Sequence, residues 1–249
     1  EIAQCLVGSE MCIRDSDGID ITPDDIYAYY ERTGTTAKTA AVPPSAYLSL
    51  FEKYTKEGYE VVHLGFTAKL SSSFQNAVLA AGELEGVFPV DTKSLCTGMA
   101  LLVIKACEMR DAGLPAKEIA EQIALLREKV HTTFILNTLD YLSRGGRCSA
   151  VTAFGANLLS IKPSIEMVDG ALEVGKKYRG KIETVYGQYI RDQLSDPDKL
   201  DLSRAFLSHS GGGISEETLQ AMKKEILRCA PFQDCLLYTS DAADDRISV

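Results

Sequence analysis

The sequence predicts an α/β protein of two domains, a mostly parallel α/β sheet domain followed by an α+β domain with a mixed sheet. Three observations predict it. Short apolar and β-branched segments alternate with helical periods between residues 59 and 130, the rhythm of parallel strands joined by helices. After residue 130 that rhythm gives way to a strand, short helices, a hairpin and further helices and strands, which places a domain boundary near residue 129. Finally, 249 residues with 45% hydrophobic and 24% charged content can bury two cores without staples, which excludes disulfide scaffolds and disordered chains.

Each element has its own local signal. Residues 59–66 (YEVVHLGF) form a run that reads as a strand buried on both faces. In 71–86, Phe74, Ala77, Val78 and Ala81 recur at helical spacing, so strand, turn and helix follow one another. Residues 87–91 (VFPVD) read as a second short strand, with Pro89 limiting its pairing. A helix apolar on most faces spans 97–112 and stops at Gly113. Pro115 suits the first turn of the next helix, whose inner face carries Ile119, Ile123, Leu126 and Val130. Beyond it lie a strand at 131–137, a short helix ending at Arg144-Gly145-Gly146-Arg147, and a helical stretch reaching Ile161. Segments 164–168 and 172–177 flank Asp169-Gly170, a pair that accepts the positive φ of a two-residue hairpin turn. A helix at 182–194, a strand at 205–209 and a helix at 215–229 complete the second region.

The two ends stand apart from this pattern. CLVGSEMCIRDS (5–16) and CLLYTSDAADDRISV (235–249) resemble peptides translated from sequencing-adapter DNA, so residues 1–16 and 235–249 are expected to lie outside the fold. The expected domains are then 17–128, with its first strands missing, and 129–234, with its last strand missing, as in a truncated fragment.

Composition excludes several function classes. A net charge of −9 without a basic block argues against nucleic acid and anionic lipid surfaces. The longest apolar run, 99–104, is too short to cross a bilayer, so no stable membrane insertion is expected. Seven cysteines, an odd number without a CxxC pair, fit a reducing cytoplasm; Cys96, Cys107 and Cys148 have no adjacent histidine and read as inert. His63, His131 and His209 lie too far apart in sequence to form a metal motif. Neither GxxxxGK[ST], GxSxG nor HExxH occurs, and no GxGxxG follows a strand, so ordinary nucleotide cradles, serine hydrolases and zinc proteases find no support.

Two places offer chemistry. Residues 67–73 (TAKLSSS) make a hydroxyl-rich turn from the carboxyl end of a strand into a helix, where unpaired N–H groups favour a carboxylate or phosphate. A serine there serves either as a helix cap or as an anion donor, and the sequence leaves both open. His209 ends a strand before Gly211-Gly212-Gly213 and could donate to an anion, act as a general base, or be held for structural reasons. Arg144-Gly145-Gly146-Arg147 and Lys176-Lys177-Tyr178-Arg179 are basic patches in an acidic chain, either docking elements or solvated charge.

An ordered series of motifs covers the chain from 17 to 231: DGIDIT (17–22), KTAAVPPSAYLSLFEKY (38–54), VVHLGFTAKLSSSFQNAVLAA (61–81), VDTKSLCTGMALLV (90–103), LDYLSRGGR (139–147), NLLSIKPSIEMVDG (157–170) and FLSHSGGG (206–213). In this series the chain resembles the DegV family, bacterial fatty-acid-binding proteins that include the lipid-carrying subunit of fatty acid kinase. The resemblance implies a cytoplasmic carrier, not an enzyme. Its ligand would be a long-chain fatty acid held in a tunnel between two domains, with no cofactor and no metal, and its partner the catalytic subunit of fatty acid kinase. Carried over by motif, the carboxylate ligands fall on Thr39, Ser71 with its neighbour Ser72, and His209, and the kinase-docking arginine on Arg179. Thr39 is followed by Ala-Ala-Val-Pro where the family has Ser-Gln-Pro-Ser, and Ser71 by Ser-Ser where Gly-Thr is usual, so the pocket is expected to be reshaped. The alternative is a serine-dependent esterase or phosphotransferase using Ser71 as nucleophile and His209 as base. The missing acid partner and nucleophile elbow weigh against it.

Overall fold

The largely apolar character of residues 61–65 and 87–91 has a direct cause: helices cover both faces of the strand pair they form. The computed structural model describes residues 4–6, 14–16, 23–35, 38–136, 139–148, 161–209 and 214–239. The chain divides into two units, one comprising Glu1–Thr132 with Met167–Ala171, the other Thr133–Glu166 with Leu172–Val249. In order, the first unit contains β1 (Gln4–Leu6), β2 (Arg14–Ser16), α1 (Pro23–Thr33), β3 (Lys38–Ala40), α2 (Pro44–Lys56), β4 (Val61–Gly65), α3 (Ser73–Ala81), β5 (Val87–Asp91), α4 (Cys96–Asp111) and α5 (Ala116–Leu126).

Strands β4 and β5 pair in parallel, Val61 opposite Val87 and Gly65 opposite Asp91. Their side chains alternate between two cores. Val61 and Val87 join Tyr47 and Phe51 of α2 and Ala77, Ala80 and Ala81 of α3. Val62, Leu64, Phe88 and Val90 join Leu102 of α4 and Ile119, Ala120 and Ile123 of α5. Among the described residues β5 pairs on one side only, which accommodates Pro89. Gly65 lets α3 approach closely, since a Cβ there would lie 2.5 Å from the Phe74 ring. Helices α1 and α2 fall in a stretch for which the local sequence signals name no element.

Residues 4–6 and 14–16 form strands. Strand β1 pairs antiparallel with both β2 and β3, Cys5 standing opposite Asp15 on one side and Thr39 on the other. The physical reason is that the exposed N–H and C=O groups of an edge strand are satisfied by any extended neighbour, largely without regard to its side chains.

The second unit runs through β6 (Thr133–Ile135), α6 (Asp140–Gly145), β7 (Ile161–Val168), β8 (Ala171–Arg179), α7 (Ile182–Gln193), β9 (Arg204–His209), α8 (Glu216–Cys229) and β10 (Asp234–Thr239); the hairpin tip 167–171 is the part that counts with the first unit. Strands β6, β7 and β8 form one sheet, β6 antiparallel to β7 with Phe134 opposite Ile165. Asp169 and Gly170 both take positive φ, 46° and 81°, as the hairpin signal requires. The helical stretch expected up to Ile161 lies largely outside the described residues. The core is built by Tyr178, Val185, Tyr186, Tyr189, Ile190, Met222 and Ile226. Ser215 caps α8 by accepting from the Thr218 N–H at 3.2 Å. Strand β10 runs parallel to β9 with Cys235 opposite Ala205 and buried in this core.

Candidate functional site

Parallel strands end on the same side, so β4 and β5 deliver two polar loops, 66–72 and 92–95, next to one another. The hydroxyls of Thr67, Thr92 and Ser94 are buried and therefore need partners. Thr92 Oγ1 donates to the Gly65 carbonyl at 2.7 Å and accepts from the Ser94 N–H at 3.3 Å. The Ser94 and Thr132 hydroxyls stand 2.8 Å apart. Asp91 Oδ1 accepts from the backbone N–H of Lys93 at 2.9 Å and of Ala68 at 3.4 Å, stitching one loop to the other. The Thr67 N–H donates to the Ser94 carbonyl at 3.3 Å.

The serine turn at the start of α3 has its own chain of bonds. Ser71 Oγ accepts from the Ser73 N–H at 3.1 Å and donates to Ser73 Oγ at 3.0 Å. Ser73 Oγ also accepts from the Val42 N–H at 3.3 Å, and Asn76 Nδ2 donates to the Val42 carbonyl at 2.7 Å. Ser71, half-buried, is thus the residue that caps the helix start. Ser72 stands exposed at the boundary and makes no side-chain cap bond. The bonds to Val42 also tie the segment just after β3, the strand that contains Thr39, to the serine turn; the Thr39 side chain lies outside the described residues. An arriving carboxylate would take the Ser71 proton from Ser73 Oγ, exchanging one neutral hydrogen bond for a charge-assisted one beside a helix N-terminus.

His209 and Arg179 belong to the second unit. His209 is the last residue of β9, half-buried and opposite Thr239; Arg179 is the last residue of β8 and exposed. The three glycines after His209 lie outside the described residues. The structure therefore brings Ser71 and Ser72 together in one turn, with Thr67 and Ser73 beside them. The network also takes in Thr92, Ser94 and Asn76, which are not among the residues expected at the site from the sequence. The signal for the first two was available, since a polar run follows β5 as one follows β4.

Ser71 donates to another hydroxyl. An activated serine nucleophile donates to a base, so this geometry does not prepare covalent catalysis. Among the described residues no three His, Cys, Asp or Glu side chains are placed to hold a metal, and no helix is long and apolar enough to cross a membrane. A cleft of about 390 Å³ lined by Tyr54, Glu57, Tyr59, Glu60, Val61 and Val62 shares no residue with the serine turn.

The family pattern described as "uncharacterised protein, DegV family" matches residues 13–239. The chain belongs to the DegV family. The match reaches into both end segments, in keeping with the strands β2 and β10 found there. A DegV domain-containing protein of Clostridium perfringens (strain 13 / Type A) is 30% identical over 166 residues, 66% of this chain and 60% of that protein, so the match spans less than two thirds of the relative's length. A DegV family protein from Thermus thermophilus, described by its fatty acid binding, superposes with a TM-score of 0.82 at 24% identity, covering 98% of this chain and 86% of that one. The Fatty Acid Kinase (Fak) B3 protein of Streptococcus pneumoniae, loaded with linoleic acid, gives a TM-score of 0.81 at 23% identity, covering 98% and 85%. Both of these solved structures share the fold; the first is described by its fatty acid binding and the second is loaded with linoleic acid.

Proposed function

We propose that this DegV family member is a carrier that binds a long-chain fatty acid and presents its carboxylate to the catalytic subunit of a fatty acid kinase. The observation that carries the reading is the serine turn, where the Ser71 hydroxyl and the start of α3 offer neutral and partial positive charge at the carboxyl end of a parallel strand. Neutral donors suit a carrier, because they orient a carboxylate and leave its oxygens open to a phosphoryl donor. The family resemblance adds Thr39, Ser72 and His209 as further carboxylate ligands and Arg179 as the residue that meets the kinase. The likeness to the Fak B3 protein supports a kinase partner.

Affinity would come mainly from the tail. Each buried methylene contributes about 0.8 kcal/mol, so a 16-carbon chain gains on the order of 10 kcal/mol before the costs of association. Native mass spectrometry of protein purified from bacteria tests the reading. The expected result is a bound species with the mass of a fatty acid, lost or strongly depleted in Ser71→Ala. A folded protein that carries no lipid and takes up none on titration overturns it.

A further inference from the structure

The hairpin turn 169–170 meets, within the first unit, both loops that leave the carboxyl ends of β4 and β5. Asp169 bridges them with its two oxygens. Oδ2 accepts from Lys69 Nζ at 2.9 Å, in the turn leading to Ser71, and Oδ1 accepts from Lys93 Nζ at 2.6 Å, in the loop after β5. Beside it the buried Thr67 hydroxyl donates to the Gly170 carbonyl at 2.7 Å and accepts from the Lys69 N–H at 3.4 Å. Thr67 and Lys69 are thus held by residues 103 and 100 positions away in sequence. Gly170 is needed at this contact, because its φ is +81° and a Cβ would lie 2.6 Å from Thr67 Oγ1. Lys93 is shared with Glu128 at 2.8 Å, and Glu128 with Arg127 at 3.2 Å.

Exposed ion pairs add little to the stability of a fold, and Lys69 and Asp169 are both more than half exposed. A carboxylate with two arms in that setting instead selects one arrangement of the loops it joins. We infer that Asp169 is a positioning residue for the fatty-acid carboxylate site, holding the 67–73 turn, and with it the Ser71 hydroxyl, in binding geometry through Lys69 and Lys93. It does so without touching the ligand. The inference rests on the fatty-acid reading above.

Oleate binding to the full chain, measured by isothermal titration calorimetry at low and high ionic strength, tests it. Asp169→Asn is expected to weaken binding by about three- to tenfold, and Asp169→Glu to restore most of the loss. Lys69→Met severs the arm that reaches the serine turn from an exposed position and is expected to give a loss in the same direction, no larger than that of Asp169→Asn. The double variant should lose no more than Asp169→Asn alone, because that substitution already removes the charge that both lysines bind. High salt should bring the wild type toward the Asp169→Asn value and leave that variant almost unchanged. Equal oleate affinity in the wild type, Asp169→Asn and Lys69→Met overturns the positioning role and leaves the fatty-acid reading standing. A wild type that takes up no oleate overturns that reading and this inference with it.

Discussion

His63 shows what a single buried side chain does to this protein's response to pH. It stands on β4 on the side facing α2, its ring 5.2 Å from Tyr47 and 5.5 Å from Phe51 in edge-on contacts. Its Nε2 is buried and has no hydrogen-bond partner among the described residues. Burial in this apolar setting pushes its pKa down to about 4. The unfolded chain takes up the same proton near pH 6.5, so protons favour the unfolded state. Stability is therefore complete above about pH 6.5, declines as the pH falls from there toward about 4, and loses nothing further from this group below that. Urea unfolding of the wild type and His63→Leu at pH 7 and pH 5 checks this: the wild type should lose about 1 to 2 kcal/mol more than the variant between the two conditions. Equal losses would mean that the folded protein hydrates the imidazole. The serine turn shows a different limit at this scale. The residue types pointed to an anion site or a cap, and only the hydrogen bonds assign the cap to Ser71 in preference to Ser72.

At the scale of elements, the first turn of α4 is set by what it packs against. Gly98 lies where an added Cβ would meet Thr132 Oγ1 at 2.0 Å and Ser94 Oγ at 2.2 Å, the two hydroxyls that hydrogen-bond each other. Gly98→Ala would raise helix propensity by about 1 kcal/mol. Overpacking costs roughly 1–3 kcal/mol, so the variant should be destabilised by about 1 kcal/mol in chemical denaturation. A stabilised variant would show that the hydroxyl pair yields freely to this helix. Elements with one clean local signal were legible in the sequence: the strand at 61–65, the Asp169-Gly170 turn and the helix Ile182–Gln193. Helix α2 was not, because Leu50 and Tyr54 stay exposed while Tyr47 and Phe51 enter the core, so its apolar residues spread over more than one face and blur the period.

At the scale of the whole molecule, charge governs which partners can approach. The chain carries a net charge of −9, yet Lys176, Lys177 and Arg179 stand exposed along the end of β8. A basic patch on an acidic protein steers an acidic partner surface and acts mainly on the rate of encounter. Arg179→Ala is therefore expected to leave oleate affinity unchanged and to lower the kcat/KM of acyl phosphate formation by a partner kinase by about three- to tenfold, with the gap closing at high salt. Loss of oleate binding in that variant would place Arg179 at the ligand instead.

The sequence by itself determined the strand and helix alternation, the hairpin turn, the hydroxyl-rich start of α3 and, through its ordered motifs, the family. Each of these rests on periodicity, on the φ preference of a residue pair, or on a short string, all of which lie within a few neighbouring positions. Tertiary structure alone decided which serine caps α3, that Asp169 joins Lys69 to Lys93, that Ser94 pairs with Thr132, and that the end segments complete two sheets. Those outcomes depend on partners that burial and backbone pairing bring together from distant parts of the chain, and no local pattern specifies such a partner.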